Sequence, residues 1–133
     1  MRRTKEEEAV RRPAWGSVRK TWRMASAVWY RVAALSGASS IGLAAYGAHG
    51  LKLDPPLAKA FDNGNKMHLV HSGMLAMCPL LKRPHLTGSL FLGGIAVFSG
   101  SCYAAALTGD RANGKLAPFG GTALMLAWLS LAL

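Results

Sequence analysis

Three stretches of the chain run without Lys, Arg, Asp or Glu: residues 32–51, 86–107 and 116–133. At ~1.5 Å of rise per residue, runs of about this length cross a hydrocarbon core as helices. A fourth run, 67–81, is shorter and contains His68 and His71. Extended back to Leu57 it takes in Lys59, Asp62 and Lys66. We read it as a spanning helix whose first turns are wet, with Lys59 and Lys66 snorkelling to the surface. The link to the next run is only Lys82-Arg83-Pro84-His85, which demands an antiparallel hairpin. The other links, KLDPP at 52–56 and TGDRANGK at 108–115, are short and polar. The pattern therefore predicts four helices near 30–50, 57–81, 85–107 and 116–133. The fold class is all-α, a four-helix transmembrane bundle in up-down-up-down order with a basic N-terminal tail.

Charge sharpens the division. Of 133 residues, 51% are hydrophobic and the formal net charge is +10. Residues 1–27 carry eight Lys/Arg and three Glu; the much longer segment 28–133 carries eight Lys/Arg and three Asp. The domain organisation is thus a tail, 1–27, and a transmembrane domain, 28–133. This composition excludes a disordered chain and a disulfide scaffold. Half the basic residues lie in the tail without a nucleic-acid motif, so nucleic acid is not an expected partner; the bilayer is. Four spans place the tail, the 82–85 loop and the C-terminus on one side. That side holds eleven basic residues against five on the other, which orients both termini toward the cytoplasm or the mitochondrial matrix. Trp15, Val18 and Trp22 lie at helical spacing among basic residues, as in a segment lying on an anionic membrane face. The acid-free stretch 9–30 also suits a mitochondrial transit segment, although Glu6-Glu7-Glu8 does not. A start at Met24, with 1–23 as an extension, is a third reading.

Fourteen of the 15 glycines lie in the body. In lipid such residues let helices approach closely, within the bundle or against another protein. Ser36, Ser40, Ala44 and Ala48 recur every four residues, with Ala34, Ala38 and Gly42 on an adjacent stripe. Cys78 and Cys102 belong to no C-x-x-C pair and read as packing residues. Antiparallel helices set them at different heights, so no bridge is expected.

The ordered set ALSGASSIGLAAYGAHG (34–50), NKMHLVHS (65–72), SGSCYAAALTGD (99–110) and LAPFGGTALMLAWLSLAL (116–133) resembles the transmembrane protein 256 family. The likeness runs from about residue 31 to the C-terminus. The family comprises small four-helix membrane proteins with bacterial relatives grouped as a domain of unknown function. The resemblance implies a multi-pass membrane protein, mitochondrial in animals, with no established activity.

One polar constellation stands out. His49 ends the first helix, while His68 and His71 share a face early in the second, so all three belong near one membrane face. Tyr46 lies one turn below His49, and Asn65 stands at the mouth of the second helix; His85 lies at the other face. Imidazoles in this number serve as metal or haem ligands, as a proton or ligand relay, or as hydrogen-bonding structural groups that tie the hairpin together. The structural role, with partners in Tyr46, Asn65 and loop carbonyls, is the expectation. No metal or cofactor is expected. No serine has a G-x-S-x-G setting and GDRANGK lacks phosphate-loop spacing, so no enzyme is expected. Two functions follow. The first is a non-catalytic accessory or scaffold protein of the mitochondrial inner membrane, packing against partner membrane proteins. The alternative is a small oligomeric transporter, channel or metal-binding module built on the histidines.

Overall fold

A computed structural model describes residues 15–133, apart from the side chains of Trp15, Thr21, Trp22 and Ala25. Among them are four α-helices: α1 (Trp15–His49), α2 (Pro55–Met77), α3 (Pro84–Thr108) and α4 (Ala117–Leu129). Short 3₁₀ turns follow at Cys78–Leu80, Arg111–Leu116 and Ser130–Ala132, and no strand occurs among the described residues. The chain is all-α.

Helix ends follow local chemistry. Pro55 and Pro56 occupy the first positions of α2, where no N–H is needed, and the Asp54 carbonyl receives the N–H groups of Leu57 and Ala58. Pro79 stops α2 in a 3₁₀ turn, and Pro84 opens α3. Gly109, at φ 71°, ends α3 in the left-handed region that side chains avoid. Asp110 then accepts the N–H of Ala112 at 2.8 Å and starts the turn toward α4.

The first helix differs from expectation. α1 is already helical at Trp15, the first described residue, rather than only from near residue 30, and runs unbroken through the change of charge density at 27/28. Its 35 residues extend about 52 Å, beyond a hydrocarbon core of about 30 Å. Lys, Arg, Ala and Trp at 19–29 favour or tolerate helix, and charge alone does not end one. The proposed lipid-facing stripe of Trp15, Val18 and Trp22 depends on Trp15 and Trp22, whose side chains lie outside the described residues. So do residues 1–14, with the Glu6-Glu7-Glu8 run.

Successive helices pack antiparallel in chain order. Ser36 of α1 meets Ser72 of α2, while Ser40, further along α1, meets Asn65, earlier in α2. Gly64 of α2 meets Cys102 of α3, and the later His71 meets the earlier Phe91. Thr87 at the start of α3 bonds Ser130 beyond α4 at 2.8 Å. α2 packs against both α1 and α3, and α3 against α4, whereas α1 and α3 touch only weakly. All four helices feed one core: Trp29 and Ala33, Leu75 and Cys78, Phe91 and Ile95, and Leu124 and Ala127. Gly94 admits Leu124 so closely that a Cβ there would lie 2.5 Å from its Cδ2. Both cysteines are free and buried.

Two stretches among the described residues, Pro84–Thr108 and Arg111–Ala132, are long and apolar enough to cross a membrane by length and composition. Serines and glycines dilute α1, and Lys59, Asp62, Asn63, Asn65 and Lys66 dilute α2. Large apolar side chains nevertheless cover the outer surface, among them Leu35, Ile41, Val70, Phe119 and Leu129. An exterior of this kind matches hydrocarbon better than water.

Candidate functional site

The inward face of α2 carries Gly64, His68, His71, Ser72 and Leu75, all buried. Their spacing of three and four residues makes a single stripe. The stripe is buried among the other helices, so its polar groups must find partners there or within α2, or bear the full desolvation cost.

His68 does so on both sides. Its Nε2 lies 3.1 Å from Ser36 Oγ of α1, and its Nδ1 lies 3.2 Å from Tyr103 Oη of α3. The directions of the bonds follow from the surrounding groups. Ser72 Oγ donates to the His68 carbonyl at 2.7 Å, so in the 2.6 Å Ser36–Ser72 contact the Ser36 hydroxyl is the donor. Ser36 Oγ then accepts from His68 Nε2–H. With one proton on the ring, Nδ1 accepts from the Tyr103 hydroxyl. Tyr103 Oη accepts from Asn65 Nδ2 at 3.2 Å, and the second Asn65 N–H donates to the Ser40 carbonyl at 2.7 Å. The result is a one-way chain through three helices: Asn65 to Tyr103 to His68 to Ser36 to Ser72. The Tyr103 ring also packs against Phe61 at 5.0 Å and against the His68 ring at 6.0 Å.

His71 belongs to a second network. Its Nδ1–H donates to the Met67 carbonyl at 2.6 Å, which leaves Nε2 to accept from Trp128 Nε1–H at 3.2 Å. This bond ties α2 to α4. Phe91 lies against both rings, 5.6 Å from His71 and 5.7 Å edge-on from Trp128.

The five residues singled out by sequence are thus divided. Asn65 and His68 meet in one network, and His71 enters another. Tyr46 and His49 are exposed at the end of α1, outside both networks. The inward position there is Gly47, against Phe61. Each residue turns a helix by about 100°, so Tyr46 and His49 point elsewhere. Among the described residues no three His, Cys, Asp or Glu side chains group as a metal site. Sequence reasoning missed Ser36 as a histidine partner, and also Tyr103 and Trp128. The available signal was a tyrosine and a tryptophan inside uncharged runs, where a buried O–H or N–H seeks an acceptor. All four ring nitrogens of His68 and His71 are engaged, so both act as hydrogen-bonded cross-links between helices.

The description "Protein of unknown function (DUF423)" matches residues 43–121. A UPF0382 membrane protein of Schizosaccharomyces pombe is 33% identical over 78% of this chain and 97% of its own length. The UPF0382 membrane protein YwdK of Bacillus subtilis is 30% identical, over 77% of this chain and 90% of its own. A UPF0382 membrane protein of Haemophilus influenzae is 35% identical, over 74% and 86%. No solved structure matches the chain significantly. The matched segment contains Asn65, His68, His71 and Tyr103, and the chain belongs to the DUF423 family of membrane proteins of unknown function.

Proposed function

We propose that the protein is a four-span membrane protein that works by packing against the helices of partner membrane proteins, as an accessory or scaffold subunit, without catalysis of its own. The observation that carries this reading is a shallow groove of about 390 Å³ between α1 and α2, lined mostly by small residues (Ala33, Ala34, Gly37, Ser72, Gly73 and Ala76) together with Tyr30 and Leu69. Gly64, Gly88 and Gly94 are each occupied by a neighbouring side chain from within the chain. Gly73 is not; a Cβ there would meet nothing within 4 Å, and the same holds at Gly42 further along α1. A glycine inside a helix costs about 1 kcal/mol relative to alanine. That cost is offset when another backbone comes close, as at small-residue interfaces in lipid. The full engagement of His68 and His71 favours this role over transport or metal binding.

In a eukaryotic cell our reading is the mitochondrial inner membrane, with both termini on the matrix side. Its support is the basic, acid-free segment 9–30 and the excess of Lys/Arg on that side. Relatives in Bacillus and Haemophilus mean that the family's work is not peculiar to mitochondria. The test is purification of the tagged full chain in a gentle detergent. An assembly much larger than the 14.1 kDa chain, containing other membrane proteins and lost in Gly73→Leu without loss of helix content, is expected. A chain that runs alone with or without that substitution contradicts the proposal.

A further inference from the structure

Charge is divided unequally between the two ends of the bundle. All three acids of the described residues, Asp54, Asp62 and Asp110, lie at the end that carries the α1–α2 and α3–α4 connections, among five cations. The other end holds Arg19, Lys20, Arg23 and Arg31 of α1 and Lys82 and Arg83 of the α2–α3 link. All six are exposed, and no Asp or Glu side chain accompanies them among the described residues. Packing brings the two groups to one level. The Trp29 ring of α1 lies 6.0 Å from the His85 ring at the start of α3, and a Cβ on Gly88 would lie 2.5 Å from Trp29. The link, directly before His85, therefore sits beside α1 near Trp29. Direction follows from the helical period. At about 100° per residue, the buried series Trp29, Ala33, Ser36 and Ser40 spans about 60° of α1, and its four cations span about 120°, centred roughly 130° away. The cations of α1 thus overhang the surrounding membrane and not the bundle.

We propose that this end of the bundle binds anionic phospholipid head groups, phosphodiesters whose charge no amine of their own cancels. Six cations without a carboxylate partner complement such phosphates, and clusters of four to eight Lys/Arg at the end of a spanning helix carry this preference. Depth supports it and rests on the spanning of α3 proposed above. The 25 residues of α3 extend about 37 Å, so His85 stands about 16 Å from the midplane, just outside a hydrocarbon core about 30 Å thick. Head groups occupy about the next 5–7 Å, the layer that holds Lys82 and Arg83. Arg31 is rooted about 3 Å inward of Trp29 and reaches back out to the phosphates, the direction in which α1 side chains lean. Arg23, about 9 Å outward of Trp29, lies at the outer limit of the layer. Arg19 and Lys20 stand about 4–6 Å further out, within a Debye length of about 8–10 Å. A soluble polyanion, whether nucleic acid or acidic protein, does not reach the depth of Arg31. A phosphatidylcholine head brings its own cation and gains little.

The test uses the full chain in phosphatidylcholine bilayers with a trace of spin-labelled phosphatidylglycerol or spin-labelled phosphatidylcholine. The motionally restricted fraction reports lipid held at the protein surface. A preference of roughly three- to tenfold for phosphatidylglycerol is expected in about 50 mM salt, falling toward equality in about 500 mM. Arg23→Gln, Lys82→Gln and Arg83→Gln together should reduce it below about twofold with helix content unchanged. Lys52→Gln, Lys59→Gln and Arg111→Gln remove as much charge at the other end and should leave the preference within about a third of its original value. Equal restriction of the two lipids by the unaltered chain, or equal effects of the two triple variants, overturns the proposal. Impermeant thiol labelling of Gly93→Cys, near the middle of α3 in a chain with Cys78→Ala and Cys102→Ala, separates this result from the topology it rests on. A labelled cysteine removes the spanning of α3, and with it the depth at which the cations meet phosphate. A shielded cysteine with equal restriction of the two lipids removes the lipid site alone and leaves the cations as an orientation signal.

Discussion

Removing one oxygen from Tyr103 tests whether the His68 network holds α1, α2 and α3 together. Tyr103→Phe keeps the ring and its 5.0 Å packing against Phe61, so the change reports the hydroxyl. Two bonds of 3.2 Å are lost, one to His68 and one from Asn65. Interhelical hydrogen bonds in membrane proteins average about 0.6 kcal/mol, which gives roughly 1.2 kcal/mol for the pair. The acceptor left bare on His68 Nδ1 raises this toward about 2 kcal/mol. His68→Leu deletes the same bond and the bond to Ser36, with an expected loss of about 2–3 kcal/mol. Because the two substitutions share a bond, the double variant should fall short of their sum by about 0.5–1 kcal/mol. The assay is reversible unfolding in mixed micelles with a denaturing detergent, followed by circular dichroism. A Tyr103→Phe loss below about 0.3 kcal/mol, or additivity of the two changes within that margin, refutes the network as a structural unit.

Adjacent glycines provide a second test by thermal unfolding. Gly94→Ala should destabilise by about 1–3 kcal/mol, since its Cβ would meet Leu124, whereas Gly93→Ala should be neutral or stabilise by up to about 1 kcal/mol. Gly109→Ala should cost about 1–2 kcal/mol in the same measurement, because its φ of 71° strains any side chain. Cys78 and Cys102 should react slowly with a thiol reagent in the folded protein and rapidly after unfolding, with identical mobility under reducing and non-reducing conditions.

How much of this was legible in the sequence varies with the element. α3 and α4 fall close to expectation because their apolar runs are uninterrupted and bounded by Pro84, Gly109 and Pro118. Lys59, Asp62 and Lys66 obscure the apolarity of α2; Pro55 and Pro56 mark its start close to the expected 57, whereas Pro79 ends the α-helix at Met77, four residues short of the expected 81. The helical course of α1 over residues 15–29 is not visible in the hydropathy pattern, because charge density rises there while helix propensity continues. The histidines show the limit more clearly. Their common face on α2 follows from a separation of three residues. Their partners depend on the register and rotation of neighbouring helices, which residue spacing within α2 does not encode. His49 and Tyr46 share an end of the molecule with α2's first turns, but the inward azimuth there belongs to Gly47. On α1 the buried series Trp29, Ala33, Ser36 and Ser40 follows the helical period, and it departs from the strict four-residue stripe at Ala44 and Ala48, which are exposed.

The central claim is that all four helices cross the membrane in alternating directions. The most direct measurement is side-specific labelling of single cysteines in sealed, oriented vesicles, in a chain with Cys78→Ala and Cys102→Ala. Lys52→Cys, Lys82→Cys and Asn113→Cys probe the three connections. The account predicts that positions 52 and 113 react with an impermeant reagent from one side and position 82 only from the other. Labelling of positions 52 and 82 from the same side would mean that α2 lies along the surface, and would contradict the account.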